Sequence, residues 1–358
     1  MSTVSPEDWS ALWRNNIVTS FGTTMFADNY DKEALEFWRQ QLVGDYEHVV
    51  DLACGNGALV WIANDLLNGD DSELRITGVD AADIDPFTIL GKAPGSYPGV
   101  EFIANTPIEA LPFEDESIDV IISQYGIEYS DLNQTIVEAQ RVLKRSGKLC
   151  AILHSESSVV LEGAKVGVEC GPVLDNYELD KRFLDLAVYL GSRSDSSVLI
   201  DSTEVENLCD QINSILGAIR SVSQTYSLRS KNTLKDYVKT TVGTFYPEEP
   251  PKKAASFFDI LDGSSNVAEA DLLTNGKSFS VLNVRENPDR EQEIRTAATA
   301  LLNTVRRLEN LASAALSEMA LLALREDLDV LGFEVTLYEK LMYEGKGEMG
   351  VKLVAIKR

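Results

Sequence analysis

A glycine-rich loop follows a short apolar run near residue 50. The run, His48–Leu52, reads as a buried strand, and a helix is predicted directly after the loop. Glycines at a strand-to-helix turn let the backbone approach a ligand closely. Asp51 precedes the glycines, however, and Val60 stands where a dinucleotide-binding loop would place its third glycine. Because a carboxylate repels a pyrophosphate, the loop favours a positively charged ligand.

A second acidic residue, Asp80, ends the next predicted strand. It lies 23 residues after Gly57, where a carboxylate accepts hydrogen bonds from ribose hydroxyls. The loop and this acid together indicate a nucleoside, and Asp51 indicates that the nucleoside carries a positive substituent. S-adenosylmethionine meets both conditions.

Strands alternate with helices from residue 48 onward, which predicts a doubly wound α/β fold with a mainly parallel sheet. A hairpin is predicted at the end of the chain, around a turn at 345–347. The predicted strands are 48–52, 75–80, 100–104, 118–123, 148–154, 333–338 and 350–356, and helices are predicted at 58–67, 133–142, 204–219, 233–242 and 291–327.

Four segments in order, 50–57, 78–80, 108–121 and 138–149, resemble the motifs of the class I, Rossmann-like S-adenosylmethionine-dependent methyltransferases. The terminal hairpin is similar to the last two strands of that fold. The resemblance implies a seven-stranded mixed sheet. It divides the chain into an N-terminal helical lid (1–45), a cofactor-binding core (46–158 and 328–358) and a large, mostly helical insertion that caps the active site (159–327).

The resemblance also assigns the cofactor contacts. The family often has an acidic residue just before Ile108 that binds the adenine amino group, but here Pro107 takes that place, with Asn105 and Thr106 as nearby substitutes. The implied contacts are Asp51, Ala53 and Gly55 with the methionine part, Asp80 with the ribose, Ala81 and Ile108 with the adenine, Ser123 and Gln124 beside the methyl donor, and Tyr30 in an aromatic segment that covers the cofactor.

Three further residues are catalytic candidates on the acceptor side. Tyr125 and Glu128 follow the fourth predicted strand, and His154 ends the fifth, so all three lie at the carboxyl edge where such sheets bind ligands. His154 would act as a base or orient the acceptor. The alternative for each is packing, solvent exposure or helix capping, since methyl transfer requires little acid–base machinery.

The overall composition limits the class of partner. A net charge of −25 disfavours nucleic acid and anionic membrane surfaces. The chain has no apolar run of transmembrane length and no signal-peptide pattern, so a cytoplasmic location is predicted. Its 4 cysteines and 2 histidines are scattered, and no metal site is predicted.

These observations predict methyl transfer from S-adenosylmethionine to an oxygen or nitrogen of a small-molecule acceptor. Two alternatives remain open: a protein or carrier-protein acceptor docked on the insertion, and a non-catalytic cofactor-binding or dimerisation module. The helical pattern at 291–327 is where a homodimer contact would form.

Overall fold

The computed structural model of this protein describes residues 6–14, 17–20, 29–67, 73–161, 164–165, 168, 307–345 and 347–358. The chain divides into two compact units, residues 1–162 with 310–358 and residues 163–309. Every element described below belongs to the first unit. The predicted helices at 204–219 and 233–242, and the part of the 291–327 pattern before residue 307, lie outside the described residues. The insertion and its dimer contact therefore stay predictions.

A seven-stranded mixed sheet forms the centre of the first unit, as predicted, with the strand order β3-β2-β1-β4-β5-β7-β6. Strands β1 to β5 are parallel neighbours, and β7 runs antiparallel to both β5 and β6. The strands are β1 His48–Leu52, β2 Arg75–Val79, β3 Val100–Ile103, β4 Ile118–Gln124, β5 Leu143–Leu153, β6 Phe333–Tyr343 and β7 Gly347–Lys357.

The helices lie before, between and after these strands. The helix after the glycine loop has the predicted limits, and the helix after β4 begins one residue early because Asp131 caps it by accepting from the Gln134 N–H at 3.2 Å. The helices are α1 Pro6–Trp13, α2 Lys32–Gln41, α3 Ala58–Leu67, α4 Pro86–Ile89, α5 Leu132–Val142 and α6 Glu318–Val330.

Strand β5 begins at Leu143, five residues before the predicted start at 148. Its pairing with β4 shifts from Ile118–Leu143 to Val120–Lys148, so the intervening residues bulge out of the ladder. Ser146 and Gly147 in this bulge are residues typical of turns, which is why the predicted strand begins only after them. The strands of the terminal hairpin are also longer than predicted.

The apolar core packs helices α5 and α6 against the sheet. Leu321, Leu324 and Leu328 of α6 are buried in the same cluster as Leu149 of β5. Because β1 is parallel to both β2 and β4, the carboxyl ends of these three strands meet at one edge of the sheet. Strands β2 and β3 are added on one side of β1, and β4 lies on its other side. Ligands bind at such a switch point in the strand order. Among the described residues, no helix is long and apolar enough to cross a membrane.

Candidate active site

A cavity of about 270 Å³ opens at the carboxyl edge of β1, β2 and β4. Its described lining residues include carboxylates and aromatic rings but no Lys, Arg or His. An environment of this kind favours a cationic ligand over a phosphate-bearing one. The lining residues are Pro6, Trp9, Trp13, Val18, Ser20, Tyr30, Asp51, Ala53, Cys54, Ala58, Leu59, Asp80, Ala81, Ala82, Pro107, Ile108, Glu109, Gln124, Tyr125, Gly126, Tyr129 and Ser130.

The glycine loop turns sharply after β1. Ala53 and Gly55 have positive φ angles of 56° and 53°. A Cβ atom added at Gly55 would lie 2.4 Å from the ring of Trp13 in α1. Glycine is therefore required at 55 both for the backbone conformation and for the close packing of α1. Gly55 itself is not among the residues that line the cavity.

Asp51, the next-to-last residue of β1, is buried and lines the cavity. Its Oδ2 atom has no hydrogen-bond partner among the described residues. Burial, followed by the charge of nearby Asp80, raises the pKa of Asp51 well above its usual value. A buried carboxylate oxygen without a partner is costly, and a bound ammonium group would satisfy it. This arrangement fits the amino-acid part of S-adenosylmethionine.

Asp80 links the loops that follow β1 and β2. Its Oδ2 accepts from the Gly55 N–H at 2.7 Å, and its Oδ1 accepts from the Ala82 N–H at 2.8 Å. Burial raises the pKa of Asp80, and these two N–H donors partly offset that rise. Each carboxylate oxygen has a second lone pair, so ribose hydroxyls can still be accepted. Asp80 thus joins the two loops through hydrogen bonds, and its predicted contact with the ribose would be a further interaction.

The adenine end of the predicted site is lined by Ala81, Pro107, Ile108 and Glu109. Asn105 and Thr106 do not line it, and their backbone N–H groups bond to the carbonyls of Ala82 and Asp80. The acidic residue at this end is Glu109, two positions after Pro107, and its Oε1 accepts from the Asp131 N–H at 2.9 Å. Sequence reasoning missed Glu109 because it lies on the other side of Ile108 from the usual acid.

The end of β4 contributes two polar side chains of different kinds. Ser123 does not line the cavity, and its hydroxyl donates to the Leu52 carbonyl at 2.9 Å, which ties β4 to β1. Gln124 lines the cavity, and its Oε1 accepts from the Trp38 Nε1 at 2.5 Å. Gln124 therefore connects the sheet edge to helix α2.

Four aromatic rings form a wall of the cavity in two perpendicular pairs. Tyr30 meets Tyr125 edge-to-face with ring centres 6.3 Å apart, and Trp9 meets Tyr129 in the same way at 5.2 Å. Burial raises the pKa of each of the three tyrosines, so they stay neutral. Neutral aromatic rings attract a cation such as a sulfonium. Trp9 was not among the site residues predicted from the sequence.

Glu128 and His154 lie beside this wall and are not among the cavity-lining residues. One carboxylate oxygen of Glu128 accepts from the His154 backbone N–H at 2.6 Å, and the other has no partner among the described residues. Burial raises the pKa of Glu128 to about 7. Its charge state therefore changes near neutral pH.

The imidazole of His154 stacks on the ring of Tyr125, with ring centres 4.3 Å apart and planes 15° from parallel. Burial lowers the pKa of His154 to about 3, so the ring is neutral at physiological pH. A base this weak takes up protons poorly near pH 7. His154 therefore packs against Tyr125, and it is not among the cavity-lining residues.

Comparison with known proteins identifies the kind of domain to which most of the cavity-lining residues belong. Residues 50–151 match a family model described as a methyltransferase domain. Two curated relatives are the demethylmenaquinone methyltransferase of Thermotoga maritima, 34% identical over 118 residues, and the ubiquinone/menaquinone biosynthesis C-methyltransferase UbiE of Geotalea daltonii, 32% identical over 117 residues. The matches cover 31% and 32% of this chain, which spans about half of each relative, 48% in both cases.

Solved structures resemble a similar share of the chain. A geranyl diphosphate methyltransferase in complex with geranyl diphosphate and sinefungin is 20% identical, with a TM-score of 0.30, over 34% of this chain and 45% of that one. The PH0226 protein of Pyrococcus horikoshii is 30% identical, with a TM-score of 0.29, over 34% of this chain and 56% of that one. The family match agrees with the resemblance read from the motifs: residues 50–151 carry a methyltransferase domain.

Proposed function

We propose that this chain transfers a methyl group from S-adenosylmethionine to an uncharged small molecule bound at the carboxyl edge of the sheet. The observation that carries the proposal is the buried, unpartnered Oδ2 of Asp51 in a cavity whose described lining has no basic side chain. Such a cavity is matched to a nucleoside with a positively charged amino acid.

The chain's own residues divide the binding of the cofactor. Asp51 would accept from its amino group, Asp80 would accept from its ribose hydroxyls, and Ala81 and Ile108 would border its adenine. Tyr30 excludes water from one side. The cofactor supplies a methyl group activated by a sulfonium, so the protein's task is to position this group against the acceptor in line with the leaving sulfur.

Charge selects the acceptor. Asp51, Asp80 and Glu109 line the cavity and Glu128 lies next to its aromatic wall, so an anionic acceptor would be repelled. An uncharged aromatic acceptor would instead pack against Tyr125 and Tyr129. The names of the two curated relatives refer to quinone biosynthesis and, in one case, to a C-methyltransferase. They favour a ring carbon as the methylated atom over the oxygen or nitrogen predicted from the sequence.

Glu128 is proposed as a positioning residue that acts through its charge. Methylation of a ring carbon would place positive charge on the acceptor until the proton of that carbon is lost to water, and a nearby buried carboxylate would stabilise that charge. Because the pKa of Glu128 is about 7, this contribution grows as the carboxyl group ionises. His154 then keeps Tyr125 in place by stacking, and Tyr125 borders the acceptor.

To test this proposal, the full chain is incubated with S-adenosylmethionine that is labelled in its methyl group. Two acceptors are compared: an uncharged quinol and a carboxylated phenol of similar size. Transfer to a ring carbon of the quinol, located by NMR of the product, with little transfer to the anionic phenol, is the expected result. Efficient methylation of the anion would contradict the charge argument. Cofactor binding without transfer to any small molecule would favour the protein-acceptor or non-catalytic alternative.

A further inference from the structure

Helix α1 contacts the loops that follow three neighbouring strands. Pro6, Trp9 and Trp13 of this helix line the cavity. After β2, the Ser10 hydroxyl oxygen accepts from the Asp83 N–H at 2.8 Å. After β4, Tyr129 meets Trp9 edge-to-face. The third contact lies after β1, in the glycine loop, so α1 forms a roof over the cavity.

That third contact is made by Asn56. Its Nδ2 donates to the Trp13 carbonyl at 2.9 Å and to the Ile17 carbonyl at 2.7 Å. A primary amide has two N–H groups, so one side chain makes both bonds at once. Trp13 is the last residue of α1, where helical carbonyls lack partners within the helix. Asn56 therefore caps this helix from a different segment of the chain.

The neighbouring loop residue, Gly55, packs against the side chain of Trp13. The Trp13 ring lies so close to Gly55 that a Cβ there would be 2.4 Å from it. Asn56 holds the Trp13 carbonyl, and its side chain is fully buried, with 0% exposure. Gly55 and Asn56, which are consecutive in the glycine loop, thus contact the ring and the backbone of Trp13, respectively.

We propose that Asn56 is a latch that keeps α1 closed over the cavity and so limits the rate at which a bound nucleoside leaves. The part of this proposal that concerns ligand release rests on the proposed function. Swinging α1 away breaks both amide hydrogen bonds, and the latch acts on the roof and not on the reacting atoms. Loss of the latch should therefore speed ligand release, while Asp51 and Asp80 stay in place.

The variant Asn56→Asp removes both donors, keeps the side-chain shape and sets carboxylate oxygens against two carbonyls. Asn133→Asp makes the same change on the exposed surface of α5 and serves as the matched control. Amide hydrogen exchange of residues 6–14 in the unliganded protein should be at least about tenfold faster in Asn56→Asp than in the native chain or the control. If Asn56→Asp does not fold, Asn56→Ser, which is neutral and has a single donor, should show a smaller rise. Unchanged exchange in a folded variant would overturn the latch.

The second measurement follows release of S-adenosylhomocysteine, which cannot react, by stopped-flow displacement. Its dissociation rate constant should rise about tenfold in the variant and stay unchanged in Asn133→Asp. Faster exchange of α1 with unchanged release would overturn the gating part of the proposal. If the native chain binds neither S-adenosylhomocysteine nor S-adenosylmethionine, the proposed function fails, whereas the exchange measurement still decides whether Asn56 holds α1.

Discussion

The backbone N–H of Gly55 donates to the carboxylate Oδ2 of Asp80 at 2.7 Å. This bond joins the glycine loop after β1 to the end of β2, and the same carboxylate accepts from the Ala82 N–H. The two motifs from which the sequence predicted a nucleoside site are therefore one hydrogen-bonded unit. The shape of the cofactor loop depends on the acid that was assigned to the ribose.

Replacing Asp80 with Asn should destabilise the unliganded protein. The amide keeps one acceptor oxygen but turns an N–H group toward a backbone donor, and loss of a charge-assisted bond of this kind costs about 2 kcal/mol. Chemical denaturation measures the free energy of unfolding. Asp83→Asn is the matched control because the Asp83 side chain is 58% exposed. Equal stability of the two variants would contradict the loop-holding function of Asp80.

Replacing Asp51 with Asn should have the opposite effect on stability. The change removes a buried charge with an unpartnered oxygen next to Asp80, so the free energy of unfolding of the unliganded chain should stay the same or rise by about 1 kcal/mol. Affinity for S-adenosylmethionine should fall by at least about tenfold, because an ammonium group loses its carboxylate partner. Denaturation and calorimetry on the same sample separate the two effects. A clear loss of stability with unchanged affinity would show that Asp51 is structural.

Glu128 should make stability fall as the pH rises toward neutral. The pKa is raised from 4.5 to about 7 in the folded chain, so between these values the folded state binds more protons than the unfolded state. Relative to native protein, Glu128→Gln should gain almost nothing near pH 4 and as much as about 3 kcal/mol near pH 8. Unfolding curves across this range test the difference. A gain that does not depend on pH would mean that Glu128 ionises normally.

His154→Phe should preserve most of the methyl-transfer rate. The flat ring keeps the stacking on Tyr125, and the backbone N–H that binds Glu128 is unaffected. A general base would lose about a hundredfold or more in rate on this change, whereas a packing residue should lose less than about threefold. Single-turnover rates at saturating cofactor measure it. His154→Ala, which leaves a void beside Tyr125, should lose more rate than His154→Phe.

Much of the fold could be predicted from local patterns. Buried runs such as His48–Leu52, separated by amphipathic helices, require a parallel sheet, and the family motifs imply the two antiparallel strands at its end. The spacing of Asp51 and Asp80 likewise led to their prediction as cofactor contacts, and both line the cavity. Local pattern misjudged the start of β5, since Ser146 and Gly147 favour a turn while the pairing with β4 continues past them.

The contacts that build the roof could not be predicted in this way. Trp9 meets Tyr129, and Asn56 bonds to Trp13, across long stretches of chain whose periodicity contains no information about each other. Nor did the position of His154 at the end of β5 show that the imidazole would turn onto Tyr125. An N-terminal helical lid at 1–45 was predicted, but no local pattern indicated which residues of the glycine loop and of the segment after β4 it would contact.

Calorimetric titration of the full chain with S-adenosylmethionine, alongside NAD as a matched dinucleotide, tests the central claim most directly. Asp51 and the described lining of the cavity, which has no basic side chain, predict binding of S-adenosylmethionine at a single site and no detectable binding of NAD. No binding of S-adenosylmethionine, or binding of NAD with equal affinity, would contradict the account.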